Sequence, residues 1–209
     1  MKVIAINGSP RPKGNTYHSI RMVLEELEKK GVETEIIQVG NKPIRSCIAC
    51  NKCRTENGQC AAFRDDGVNE ALEKARAADG LLLASPVYYS GITGAMKCFC
   101  DRLFYVASGT EDILRHKVGA AVAVARRAGG IAALDTLYKY LQYPEMMIAT
   151  SSYWTNVYGL QPGDVEQDEE GKDVLHILGR NMAWMLKMRE QGLAYEPAFQ
   201  EKGRTSFIR

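Results

Sequence analysis

Lys2-Val3-Ile4-Ala5-Ile6-Asn7-Gly8-Ser9-Pro10-Arg11-Pro12-Lys13-Gly14-Asn15-Thr16 is the stretch whose reading decides the fold. Lys2 to Ile6 is a short apolar run ended by Asn7-Gly8, which reads as a buried strand. Residues 16–30 then place Ile20, Val23, Leu24 and Leu27 on one helical face, and Gly31 stops the helix. The loop between strand and helix lies at a helix N-terminus, where orphan N–H groups and partial positive charge make a ready anion site. Ser9, Asn15 and Thr16 add side-chain hydrogen bonds, Arg11 adds a charge-assisted one, and Gly8 and Gly14 let the backbone come close. Gly-Lys-Ser/Thr is missing, so this is no Walker loop. It is not G-x-G-x-x-G either, which disfavours a dinucleotide. The plainer alternative is a strand-to-helix turn capped by Asn15 or Thr16.

Outward from this unit, strand and helix alternate five times. Glu33 to Val39 alternates like a second strand, and Val68 to Ala78 reads as a helix. Leu81 to Ala84 is a buried strand closed by Ser85-Pro86. Ile92, Met96, Phe99 and Leu103 mark the next helix, Val118 to Val124 the fourth strand, and Ile131, Leu134, Leu137, Tyr138 and Leu141 the fourth helix. Met146 to Ala149 is a fifth strand; Leu175, Leu178, Met182, Met185 and Leu186 mark a fifth helix. Met188 extends that helix's packing face. Near-continuous apolar strands between amphipathic helices imply a parallel sheet covered on both faces. The expected fold is α/β: a flavodoxin-like, doubly wound, five-stranded parallel sheet of order 2-1-3-4-5. Its ligand crevice should lie at the carboxyl ends of strands 1 and 3. Residues 1–188 would form this domain, with a cysteine-rich loop over 41–66. Residues 189–209, carrying Tyr195, Phe199 and Phe207, would form a tail held against a partner subunit. Asp164 to Asp173 reads as a solvated acidic loop.

Ser85-Pro86-Val87-Tyr88-Tyr89-Ser90-Gly91 follows strand 3, across the switch point from the first loop. Tyr88 and Tyr89 offer a flat aromatic surface for a ring such as isoalloxazine, and the 87–91 backbone offers groups for its polar edge. A turn with surface tyrosines is the alternative. Together the two loops resemble the NADPH-dependent FMN reductase-like branch of the flavodoxin-like proteins. Gly8-Ser9-Pro10-Arg11 with Gly14-Asn15-Thr16, and Ser85-Pro86-Val87-Tyr88, carry the resemblance. It extends through Tyr153-Trp154 and the Asn181-Met182-Ala183-Trp184 helix.

The resemblance implies that Ser9, Arg11, Gly14, Asn15 and Thr16 hold the FMN phosphate. It implies that Pro86, Val87, Tyr88, Tyr89, Ser90 and Gly91 flank the flavin ring. A third loop, Arg126-Arg127-Ala128-Gly129-Gly130, would face the ring from the remaining side through Arg126 and Gly129. Its arginines either stabilise charge on reduced flavin, hold an acidic substrate, or are solvated surface charges. The activity implied is that of an FMN-dependent oxidoreductase whose flavin N5 accepts hydride without a side-chain base. With no second nucleotide-binding unit, NAD(P)H would stack on the flavin itself. A quinone, a flavin or another small-molecule acceptor would follow it into the same site.

Cys47, Cys50, Cys53 and Cys60 give C-x2-C-x2-C-x6-C. Two consecutive x2 spacings put three thiolates on a tightly curved loop, a geometry suited to three corners of a cubane. Zinc sites usually present separated pairs. The pattern resembles the compact cysteine motif of iron–sulfur flavoproteins, a subgroup of the same family. It would hold a [4Fe–4S] cluster and imply a ferredoxin-like electron partner. Bare thiols remain the alternative, as does a non-catalytic redox sensor. Cys98 and Cys100 read as small core residues, and His18, His116 and His176 show no ligand spacing.

The 209 residues are 45% hydrophobic and 25% charged with a net charge of +2, ordinary for one globular domain. So small a charge argues against nucleic acid as a partner. No apolar run approaches the ~20 residues that span a bilayer, so no membrane is expected. The immediate strand at the N-terminus argues against a signal peptide and for a cytoplasmic protein with reduced thiols. A homodimer or homotetramer is expected, with Tyr153 and Trp154 at a subunit interface.

Overall fold

The computed structural model describes residues 1–55, 58–109 and 112–200. β1 (Lys2–Asn7) has β2 (Glu33–Gln38) on one side and β3 (Gly80–Pro86) on the other, all parallel. β4 (Val118–Ala125) pairs along the far edge of β3, and β5 (Met147–Ile148) pairs with β4, giving the expected order 2-1-3-4-5. Alternation along each strand sends side chains to two faces. Ile4, Ile6, Leu81, Leu83 and Ala121 pack with α2 (Val68–Ala77), α3 (Gly94–Ala107) and α4 (Gly130–Gln142). Val3, Ala5, Leu82, Ala84 and Val122 pack with α1 (Asn15–Glu28) and α5 (Glu169–Gly192). Burial on both faces is what the unbroken apolar strands required.

The edge beyond β4 departs from expectation. β5 has two residues; the chain leaves the sheet after it and returns as β6 (Asn156–Tyr158), which pairs with Ala123–Ala125 on the same edge. Buried Thr155 anchors the return: its Oγ1 donates to the Ala121 carbonyl at 2.6 Å, and its own carbonyl accepts from Ala123 N–H at 3.0 Å. The excursion leaves Tyr153 and Trp154 exposed, ring against ring at 4.5 Å.

The acidic stretch also differs from the expected loop. Asp164–Gln167 is a 3-10 turn, and Asp168 caps α5 by accepting from Gly171 N–H at 2.9 Å. Glu169 and Glu170 in the first turn meet the helix's partial positive charge, so these acids start a helix. α5 runs past Met188 to Gly192, which places the expected boundary at 188 inside a helix. Met188 is half-exposed, off the packed face. The described part of the tail is tied to its own chain. Arg115 Nη2 donates to the Pro197 carbonyl at 3.0 Å, and His116 Nδ1 lies 2.7 Å from Glu196 Oε1. Phe207 lies outside the described residues. Among the described residues no helix is long and apolar enough to cross a membrane.

Candidate functional site

The chain leaves β1 for one face of the sheet and β3 for the other, which opens a crevice between their carboxyl ends. Two bonds stitch its sides together. Gly8 N–H donates to the Ala84 carbonyl at 2.8 Å, and Thr93 Oγ1 donates to the Gly8 carbonyl at 2.8 Å. Thr93 also caps α3, its Oγ1 accepting from Met96 N–H at 3.2 Å. The end of β1 and the start of α3 thus form one unit.

The first loop is braced from below by residues with no phosphate role in the sequence reading. Buried Asn7 accepts from Ser9 N–H at 3.0 Å through Oδ1 and donates to Gln38 Oε1 at 2.8 Å. Gln38 Nε2 donates to the Ser9 carbonyl at 2.6 Å. Ser9 Oγ accepts from Arg11 N–H at 3.1 Å and keeps its own hydrogen for donation. α1 then starts at Asn15 behind Gly14, with no side-chain cap and no acid in its first turn. Uncapped N–H groups beside buried Ser9 and Thr16, with exposed Arg11 in the same loop, fit a phosphate. Asn15 is partly committed elsewhere: its Oδ1 accepts from Gly163 N–H at 2.8 Å, leaving its N–H groups for an anion. Neither Asn15 nor Thr16 caps α1, so the plain capped-turn alternative does not describe this loop.

The second loop folds back on itself. Tyr88 and Gly91 exchange two backbone hydrogen bonds of 2.9 Å, and the two residues between them are left-handed, with φ of 48° at Tyr89 and 58° at Ser90. This is a two-residue hairpin turn built without glycine at its centre, and such strain concentrates at functional sites. Tyr88 and Tyr89 are exposed. The third loop reaches the second at Gly129, whose φ is +86° and where a Cβ would stand 2.8 Å from Ser90 Cα. Only glycine permits that approach. Arg126 and Arg127 are exposed beside it. All three predicted loops therefore gather at one end of the sheet.

Cys47, Cys50, Cys53 and Cys60 line one small cleft with Arg102 and Tyr105. Ala49 and Asn51 flank Cys50 in left-handed conformation, at φ of 52° and 58°, and so supply the tight curvature read from the spacing. Cys47 and Cys50 are exposed, while Cys53 is buried. Burial first, and then neighbouring Cys60, push the Cys53 thiol up from its ordinary value. No three His, Cys, Asp or Glu side chains among the described residues close on a single metal ion. The cleft offers four sulfurs and no carboxylate, and cubane ligands stand further apart than those of one ion. This donor set fits an iron–sulfur cluster, and the consecutive x2 spacings, rather than the sulfurs themselves, set it apart from the separated pairs usual for zinc. Of the other two cysteines, Cys100 is buried as expected and Cys98 only partly so. His18 lies 2.7 Å from Glu166 and joins no ligand cluster.

Sequence reasoning missed Asn7, Gln38, Gly40, Thr93 and Arg102. Gln38, Gly40, Thr93 and Arg102 meet backbone or sulfur far along the chain, and Asn7 braces Ser9 only through its tie to Gln38, so no spacing marks these roles. Only Arg102 left a trace, as a cation on the apolar face of a helix.

The family model for NADPH-dependent FMN reductase matches residues 1–159. The chain is similar to an iron-sulfur flavoprotein of Methanocaldococcus jannaschii, 36% identical over 195 residues that cover 90% of this chain and 98% of the relative. A second iron-sulfur flavoprotein of that organism is 32% identical over 186 residues, covering 84% of this chain and 91% of its own. Among solved structures, RosB with bound 8-demethyl-8-formylriboflavin-5'-phosphate matches at a TM-score of 0.71. That match covers 100% of this chain and 92% of RosB at 18% identity, a likeness of fold.

Proposed function

The chain belongs to the NADPH-dependent FMN reductase family, and from that premise we propose that it binds FMN non-covalently in the β1–β3 crevice as an oxidoreductase. The observation that carries this reading is the uncapped start of α1, joined through Gly8 and Thr93 to the strained Tyr89-Ser90 turn. Bound FMN supplies hydride and single-electron chemistry. The first loop grips the phosphate, Tyr88 and the 87–91 backbone flank the ring, and Arg126 offers positive charge from the third loop. NAD(P)H is the donor in this reading. A quinone, flavin or other small molecule is the acceptor in the same opening. Steady-state oxidation of NAD(P)H with a quinone or ferricyanide tests it; bound flavin without turnover favours a redox sensor instead.

Arg11→Ala should weaken FMN about tenfold or more, the worth of a hydrogen bond to a charged group. Riboflavin, which lacks the phosphate, should lose much less. Equal losses in a fluorescence titration of both ligands would remove Arg11 from the phosphate site.

In the same reading Cys47, Cys50, Cys53 and Cys60 ligate one [4Fe–4S] cluster. The four-sulfur cleft and the likeness to iron-sulfur flavoproteins support it. A groove of about 520 Å³ adjoins the cysteine loop, with Arg54, Lys97 and Lys139 among its lining. Asp101 pairs with Lys97 at 2.6 Å in the same lining, and the remaining charge of Arg54 and Lys139 suits an acidic, ferredoxin-like electron carrier. All six cysteines stand outside disulfides, which suits the reducing cytoplasm. A homodimer or homotetramer completes the reading, supported by exposed Tyr153, Trp154, Trp184 and Tyr195. Light scattering at micromolar concentration should give a multimer mass; a monomer mass would dismiss it.

A further inference from the structure

Arg102 lies in α3 and is 1% exposed. A guanidinium carries five N–H donors and no acceptor, so burying one demands acceptors around it. Nε donates to Cys60 Sγ at 3.4 Å, and Nη2 donates to the Phe63 carbonyl at 2.7 Å. Nη1 donates to the Arg45 carbonyl at 3.4 Å and to the Asp66 carboxylate. All four partners lie between residues 45 and 66, a segment whose described part holds only the 3-10 turn Lys52–Arg54. The Phe63 ring stacks 5.2 Å from the same guanidinium. One side chain thus supplies much of the order that secondary structure would otherwise give this loop. Cys60 is gripped from a second direction: its N–H donates to Asn69 Oδ1 at 2.8 Å and its carbonyl accepts from Asn69 Nδ2 at 3.0 Å.

We propose that Arg102 is the positioning residue of the sulfur site: it fixes Cys60 as the ligand that completes Cys47, Cys50 and Cys53, and its Nε–H tunes the redox potential there. The inference rests on the cluster reading given above. A hydrogen bond to a ligating sulfur draws negative charge off it, favours the more negative reduced state, and so raises the potential. The helix that carries Arg102 also begins at Thr93, the cap bonded to Gly8. Nine residue steps separate the two, about 14 Å along the axis. α3 is therefore a strut with the flavin crevice at one end and the sulfur cleft along its side.

Arg102→Lys tests the assignment. It keeps a cation for Asp66 while removing the Nε–H to Cys60 and the fork that reaches Arg45 and Phe63. Wild type and variant, holding FMN and reconstituted anaerobically with iron and sulfide, are compared in three ways. The variant should lose iron to a chelator at roughly ten- to hundredfold lower chelator concentration, the usual cost of an outer-shell partner. Its midpoint potential should fall and its EPR line shape should change, neither of which a general loss of stability would produce. In the metal-free protein, trypsin should cut at Lys52, Arg54 or Arg64 about tenfold faster. Should Arg102→Lys fail to fold, Asp66→Asn loosens the same guanidinium and is read in the same way. Wild-type iron retention, potential and tryptic protection in the variant would overturn the proposal. A wild type that takes up no iron, while the variant loop is cut faster, would overturn the cluster reading and the tuning role with it. Arg102 would then be a loop anchor only.

Discussion

Cys50→Ala is expected to strip iron from the protein and leave its flavin in place. Wild type reconstituted without oxygen should bind about four iron atoms and four sulfides per chain and give an EPR signal on reduction. Cys50 is exposed on the curved loop, between left-handed Ala49 and Asn51, and is not part of the hydrophobic core formed by the described residues. Its removal therefore costs a ligand and little packing. The variant should hold less than about one iron per chain, because three thiolates leave one corner of a cubane open. Cys98→Ala, outside the cleft, is the control and should keep its iron. Unchanged iron in Cys50→Ala, or less than about one iron in wild type, would leave a flavin reductase with spare thiols. Bare thiols at this density would be prone to oxidation, and ligation removes that liability.

Gly40→Ala should weaken FMN by one to two orders of magnitude although residue 40 lies outside the three loops proposed to hold it. A Cβ at position 40 would stand 2.3 Å from the Gly8 carbonyl oxygen and from the Ser9 carbonyl carbon and oxygen. These are backbone atoms of the phosphate loop and cannot swing aside, so the loop itself must move. Overpacking of this kind costs about 1–3 kcal/mol, and displacement of the anion-binding backbone adds to the loss of affinity. Gly94→Ala meets nothing within 4 Å and should bind FMN as wild type does. Isothermal titration of both variants decides it; a wild-type dissociation constant for a folded Gly40→Ala protein would sink the prediction.

The fold was legible because apolar strands buried on both faces and helices with one apolar stripe are visible to a periodic eye. β1, β3 and β4 each read as unbroken runs, and Gly31 marked the end of α1 with a φ of +76°. β6 was not legible. Three residues beside Thr155, one of them polar Asn156, carry no strand pattern, and their pairing is set by tertiary contact. Asp164 to Asp173 misled because acids favour both solvated loops and helix starts, and only the cap at Asp168 separates the two. The three site loops were legible from Gly, Pro and Tyr placed after strands. Gly40 and Gln38 were not, since a brace is defined by what lies across from it. Arg102 belongs with them: its meaning comes from Cys60, 42 residues away.

The bond from Thr93 to Gly8 has a consequence for how the protein is made. It spans 85 residues, so the strand and loop proposed to grip a phosphate leave the ribosome long before the residue that secures them. The third loop comes later still, with Gly129 settling against Ser90. A nascent chain shorter than this offers an anion only half a cradle, and closing such a long loop has an entropic cost that local contacts do not meet. Cofactor capture therefore waits until at least the first 130 residues have emerged and folded. If the crevice holds FMN as proposed, binding would then stabilise the folded chain by mass action, and flavin-free protein would be the more easily unfolded and degraded form.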